Sequence, residues 1–246
     1  MVVERHAKRL NMNYKTKSIY EDYWHQRLTV GVYAAAIAGP SEIYETVYSV
    51  LGMGDKILDI GCGNGDFGSS IRDKYNLVYG IDIAKEAADI ARHHGIYTVI
   101  GDLNSLLPWK DNTFSAITCL EVIEHLNDPV SLLKKIYRLL TPCGQFVLTT
   151  PNIRYFRNLS KLIFHGEFPH TSTDTFVWGG GHLHFFTRKD IQVLLTMTGF
   201  EKIHFHINQE QFDRSRKRKL LRFLIGEKTF SEFFVGSITV SAYRGG

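Results

Sequence analysis

Three aspartates stand at the ends of three successive apolar runs, and a glycine-rich turn follows the first of them. Asp59 lies in Leu58-Asp59-Ile60-Gly61-Cys62-Gly63-Asn64-Gly65-Asp66-Phe67-Gly68, Asp82 in Tyr79-Gly80-Ile81-Asp82-Ile83, and Asp102 in Gly101-Asp102-Leu103. Glycines directly after a strand permit a sharp turn and let a ligand touch the backbone, where a side chain would block it. Gly63, Gly65 and Gly68 satisfy the GxGxxG spacing, which also occurs in dinucleotide enzymes. The acid ahead of the turn separates the two cases, because Asp59 would attract a cationic amino group and repel a pyrophosphate. An acid placed like Asp82 can accept both hydroxyls of a ribose. Asp102 and Leu103 offer a carboxylate for an adenine amino group and an apolar side chain for its ring. Helix N-capping is the other reading of Asp82 and Asp102. Three acids at consecutive strand ends fit a zwitterionic nucleoside better than three unrelated caps.

A second constellation follows the fourth strand, in Cys119-Leu120-Glu121-Val122-Ile123-Glu124-His125. Glu121, Glu124 and His125 share a face if the chain turns helical here. Two carboxylates and an imidazole could hold magnesium or manganese, which would polarise a hydroxyl. Farther along, Gly179-Gly180-Gly181 precede His182 and His184, a mobile turn able to deliver one or both imidazoles to a reacting group. A histidine with its ordinary pKa suits the deprotonation of a hydroxyl. Glu121, His182 and His184 are thus the candidate catalytic residues, and Glu121, Glu124, His125 and His182 the candidate metal ligands. The competing reading has Glu121 ordering the glycine loop, His125 capping a helix and the later histidines tying a loop to the sheet.

The elements that position these groups alternate. Strands are expected at 56–60, 77–81, 97–100, 116–120 and 145–149, with helices at 67–74, 85–94 and 129–140 between them. Strict alternation implies right-handed βαβ units and a doubly wound, mostly parallel sheet, whose ligands sit beyond the carboxyl ends of the strands. Residues 152–186 break the rhythm with aromatics and histidines, as a substrate-facing insertion does. A helix at 188–198 and a strand at 200–207 follow, and a last strand at 237–243 is expected to return as an antiparallel edge. One α/β domain over 1–246 results, with an N-terminal helical lid over 1–50, a cofactor-binding core over 51–151, the insertion, and closing elements over 187–246.

Composition narrows the setting. With 246 residues and 44% hydrophobic content, one core forms without staples. Cys62, Cys119 and Cys143 are scattered, without zinc spacing, which implies reduced thiols and a cytoplasmic protein. No stretch reaches the roughly 20 apolar residues of a membrane span, and the short run at 32–38 lacks signal-peptide organisation. The formal charge is +4, concentrated in the first seventeen residues and from Arg214 to Arg222, a run that is either a solvated helix face or a site for an anionic partner.

Over residues 50–243 the sequence resembles the class I S-adenosylmethionine-dependent methyltransferases. The resemblance rests on ILDIGCGNG (57–65), GIDI (80–83), GDLNSLLPWKDNTFSAI (101–117), CLEVIEHLNDP (119–129) and LLTPCGQFVLTTPN (139–152). It implies a seven-stranded Rossmann-like sheet with S-adenosyl-L-methionine across its carboxyl edge. Asp59 with Gly61, Cys62, Gly63 and Gly65 would hold the methionine end, Asp82 and Ile83 the ribose, and Asp102 and Leu103 the adenine. Leu120 would lie beside the sulfonium, and Tyr20 and Trp24 in YEDYW resemble an aromatic lid. Similar EVxEH elements hold a divalent metal in ubiquinone-pathway and small-RNA O-methyltransferases. The Asn/Asp-Pro-Pro-Tyr grip of nucleobase N-methylating enzymes is absent. Methylation of a hydroxyl on a small-molecule or glycan-like acceptor is the leading expectation. RNA 2′-O-methylation, a lipid-quinone acceptor with the basic run on a membrane surface, and a non-catalytic cofactor-binding regulator are the alternatives. Oligomeric state is not legible.

Overall fold

The computed structural model describes residues 17–26, 41–171, 181–207 and 216–246. Gly179 and Gly180 of the expected mobile turn, and Arg214 of the basic run, lie outside the described residues. Among the described residues the first helix, α1, covers 17–26, and α2 covers Ser41–Val50. Strands β1 (Gly54–Ile60), β2 (Tyr75–Asp82), β3 (Tyr97–Ile100), β4 (Phe114–Leu120) and β5 (Leu140–Pro151) follow, with α3 (Asp66–Ser70), α4 (Lys85–His93) and α5 (Pro129–Leu139) in the connections. Beyond them come α6 (Phe156–Ser160), α7 (Arg188–Met197), β6 (Phe200–His206), α8 (Arg216–Ile225), α9 (Glu227–Phe234) and β7 (Ser237–Arg244).

These seven strands form one sheet in the order β3-β2-β1-β4-β5-β7-β6. All neighbouring pairs among the first five are parallel. Strand β7 runs antiparallel to both β5 and β6. The last strand is therefore antiparallel as expected, but it is not an edge: it lies between β5 and β6. Its residues explain the placement. Ile238, Thr239, Val240, Ser241 and Ala242 are all buried, and these small or β-branched side chains fit a strand covered on both faces. Strand β6 takes the edge instead, and its pairing with β7 slips between Glu201 and His204, with Lys202 at φ 49°. Such a bulge deters edge-to-edge pairing.

Apolar clusters cover the two faces. One joins Leu132, Leu133 and Ile136 of α5 and Ile191 and Leu195 of α7 to the sheet. The other joins Val47 of α2 with Ile57, Phe67, Ile71 and Ala91. Helix α2 is thus part of the core layer, and within the expected 1–50 lid only α1 is described at the ligand edge. The caps are those the sequence prescribes. Asp128 accepts from the Ser131 N–H at 2.9 Å ahead of Pro129, and Thr187 and Asp190 form a capping box on α7. Because strands β1 to β5 run the same way, Asp59, Asp82 and Asp102, with the turn after Leu120, gather along one rim.

Candidate active site

The glycine turn leaves β1 with Gly61 at φ 71° and Gly65 at φ 82°, both left-handed. A Cβ on Gly61 would stand 2.3 Å from Val122 Cγ2, and one on Gly65 would stand 2.9 Å from the Ala91 backbone. The protein's own packing already requires both glycines. A Cβ on Gly63 would meet the Trp24 ring at 2.8 Å, so α1 lies across the turn. Cys62 is buried beneath it, and burial holds its thiol well above the usual range, an inert packing role rather than a reactive one.

Each acid of the rim has a distinct environment. Asp59 is buried and accepts from the Thr118 hydroxyl at 2.7 Å, its register partner on β4. Burial pushes its pKa up to about 7, with the neighbouring Asp82 adding to the rise. Asp82 accepts from the Gly63 N–H and the Ala84 N–H, both at 2.9 Å, so it fixes the glycine turn and the entry to α4 at once. Ile83 follows it, partly buried. Asp102 accepts twice through Oδ1, from Asn104 N–H at 2.9 Å and Asn104 Nδ2 at 2.8 Å. Its Oδ2 is buried with no partner, which is the state expected of an acceptor reserved for a ligand's amino group. Leu103 packs against the core beside it, and Leu120 is half-buried at the end of β4.

The turn after Leu120 differs from expectation. Glu121 is left-handed, at φ 54°, and only Ile123–His125 form a single 3-10 turn, so Glu121, Glu124 and His125 do not share a helical face. Glu121 instead takes the Ser237 hydroxyl at 2.9 Å, with its own N–H on Thr149. Glu124 is 1% exposed. Its Oε2 accepts from Thr150 at 2.9 Å, while Oε1 is buried without a hydrogen-bond partner, 4.0 Å from His125 Nε2. Burial, with Glu121 nearby, holds its carboxyl well above the usual carboxylate range.

The insertion folds back onto this turn. The Glu124 carbonyl accepts from Leu183 and His184 N–H at 2.8 and 3.0 Å, and His125 Nδ1 donates to the Gly181 carbonyl at 3.1 Å. His182 meets His125 with ring centroids 4.6 Å apart, and its Nδ1 lies 2.7 Å from the Thr171 hydroxyl. One ligand atom each from Glu124, His125 and His182 lie within 4.8 Å of one another. Glu121 is outside that group. His184 is an anchor rather than a facing ligand: its Nε2 donates to the Leu126 carbonyl at 2.8 Å, and its ring stacks on Phe186. Burial, with His125 adjacent, lowers the His182 pKa to about 4, so the imidazole is neutral at pH 7. That corrects the expectation of an ordinary pKa near neutrality. Tyr20 closes the group from α1, its ring edge-on to His125 at 6.0 Å and its hydroxyl pKa raised by burial between Glu124 and Asp82.

The donor set fits a divalent cation: a buried carboxylate oxygen without a hydrogen-bond partner, and two imidazoles whose other nitrogens are engaged. Sequence reasoning missed Thr118, Thr149, Thr150 and Ser237, the hydroxyls that hold Asp59, Glu121 and Glu124. Their signal was available, since each is a hydroxyl residue within or at the end of an otherwise apolar strand.

The chain matches the model of a family described as Methyltransferase domain over residues 33–205, well over half its length. This chain belongs to that family. The chain is 30% identical over 118 residues to the ubiquinone biosynthesis O-methyltransferase of Vibrio parahaemolyticus, covering 46% of this chain and 48% of the relative. A counterpart from Xanthomonas oryzae is 33% identical over 105 residues, covering 40% and 44%. The chain thus spans about half the length of the curated relatives it matches. Among solved structures, an S-adenosylmethionine-dependent methyltransferase from Thermotoga maritima superposes with a TM-score of 0.64 at 18% identity, covering 92% of this chain and 98% of that one. The seven-stranded fold is therefore that of the S-adenosylmethionine-dependent methyltransferases.

Proposed function

We propose that this protein transfers the methyl group of S-adenosylmethionine to a hydroxyl oxygen of a small-molecule or glycan-like acceptor, with a divalent cation held by Glu124, His125 and His182. One observation carries the reading: the buried Glu124 Oε1, without a hydrogen-bond partner, faces two imidazoles on the rim that holds Asp59, Asp82 and Asp102. Methyl transfer from a sulfonium is an in-line displacement with a good leaving group, so alignment and exclusion of water supply much of the rate. Asp59 would take the amino group of the methionine end, Asp82 the ribose hydroxyls and Asp102 Oδ2 the adenine amino group. Tyr20 and Trp24 would shield the reacting atoms from above. A bound cation would acidify the acceptor hydroxyl and remove the need for a strong base, consistent with a His182 that stays neutral. Two imidazoles with one carboxylate favour manganese over magnesium, which prefers oxygen ligands.

A lipid-quinone acceptor is the second reading, supported by the name of the curated relatives. Both are tested together: the purified protein is incubated with labelled S-adenosylmethionine and sugar, catechol or polyprenylated catechol acceptors, and products are identified by mass spectrometry. An O-methyl product whose formation stops on exhaustive chelation, returns with manganese and falls at least about a hundredfold in His182→Ala is the expected result. Turnover that survives chelation removes the cation, and an N-methyl product removes the hydroxyl.

A further inference from the structure

The geometry points to a docking surface for an anionic lipid bilayer, built from α8 and from the segment that follows α6, beside the mouth of the site. Helix α8 is the clearest part. Leu220, Phe223 and Leu224 lie three and four residues apart on one face and are 58%, 84% and 69% exposed. Leu221 and Ile225, on the opposing spacing, are only half-exposed and lie toward the body. The helix is therefore amphipathic with its larger apolar face turned outward. After α6, Ile163 and Phe164 are 68% and 78% exposed in a one-turn π-helix, Lys161–His165.

Both segments join at α9 and at the same rim. Phe156 of α6 stacks against Phe234 of α9, with ring centroids 5.3 Å apart. Helix α9 is followed by β7, whose first residue pairs with Pro151 at the end of β5 and bonds Glu121. The apolar face thus lies on the carboxyl side of the sheet, where an acceptor must enter.

Charge says what covers it. The stretches 156–168 and 216–228 hold eight lysines and arginines against two glutamates, a net of +6 when the whole chain carries +4. Exposed aromatic and aliphatic side chains on a helix that begins Arg216-Lys217-Arg218-Lys219 match an interface with anionic headgroups and acyl chains. A second copy would bring the same net positive charge to the apolar face, and a purely apolar protein surface would match the face but not the charge. RNA would match the cations but not the apolar residues. No described helix is long and apolar enough to cross a membrane, so the contact is peripheral.

Flotation of the full chain with lipid vesicles tests this. Vesicles with about 30% phosphatidylglycerol should bind it at least about tenfold better than pure phosphatidylcholine, and about 0.5 M salt should reverse most of the gain. Phe223→Ser with Leu224→Ser should lower binding roughly tenfold or more, as should Ile163→Ser with Phe164→Ser. All four positions are exposed, so both variants should keep their melting temperature and their affinity for S-adenosylmethionine. That affinity, measured on the same samples, keeps the docking test separate from the proposed methyl transfer. Variants that float as well as the wild type overturn the inference, as does a wild type that stays off anionic vesicles. In the latter case RNA binding, or a dimer dispersed by the Phe223 and Leu224 changes, would identify what covers the face.

Discussion

Asp102 offers a test in which affinity and stability move apart. Its Oδ1 is committed to Asn104, at 2.9 and 2.8 Å, and its Oδ2 is buried without a partner. In Asp102→Asn the amide oxygen must keep the Asn104 contacts, which places the amide NH2 where Oδ2 stood. A donor then faces the donor of the adenine ring. A hydrogen bond to a charged acceptor contributes about 1.5–3 kcal/mol, so S-adenosylmethionine should bind roughly 10- to 150-fold more weakly by calorimetry. S-adenosylhomocysteine should lose the same factor, because the two share the adenine end. The ligand-free variant should melt close to the wild-type temperature, since an unpartnered amide NH2 replaces an unpartnered carboxylate oxygen at the same place. Unchanged affinity would refute the assignment of Asp102 to the nucleoside. A loss of affinity that comes only with a melting temperature several degrees lower would make Asp102 a brace for Asn104 and nothing more.

Asp82 should behave differently: Asp82→Ala orphans the Gly63 and Ala84 N–H groups, so both affinity and thermal stability should fall, the latter by about 1–3 kcal/mol per unsatisfied donor. For Asp59 the sign follows from a pKa raised to about 7 from 3.8. Between those values the folded protein holds a proton the unfolded chain releases, so ligand-free stability should decline as pH rises through this window and level off above it. Affinity for the cationic cofactor should climb by up to about tenfold per unit below pH 7, and Asp59→Asn should flatten that profile in a calorimetric pH series. Gly61→Ala places a methyl 2.3 Å from Val122 in a left-handed turn and should cost about 2–5 kcal/mol in urea unfolding. Adding Val122→Ala should recover the packing share but not the backbone strain, and full recovery would argue against strain.

The sequence exposed most of the fold because its signals are local. Alternating apolar runs and helices, glycines after β1, and acids at strand ends each report on a few neighbouring residues. The order of strands beyond β5 is not local: Ser237–Arg244 reads as a strand from its β-branched residues, but nothing nearby says that it inserts beside β5. The rim shows the same division. Asp59, Asp82 and Asp102 were legible from their own turns. That His182 meets His125 while His184 turns to Leu126 was not, since two histidines two residues apart look alike until the chain folds back across 57 positions. The left-handed Glu121 was equally hidden, because a run such as EVIEH has helical spacing and only its bond to Ser237, 116 residues later, shows what the carboxylate serves.

The interior position of β7 has a consequence for synthesis. Among the described residues strand β6 pairs with β7 alone, which begins 31 residues after it ends, and β5 lacks its second neighbour until then. At roughly 5–20 residues per second a nascent chain would present both unsatisfied backbone edges for several seconds. A ribosome stalled before Ser237 would hold a sticky half-sheet rather than a nearly finished protein. Premature termination in that interval should therefore yield aggregates, and a chaperone that masks strand edges would find its substrate there.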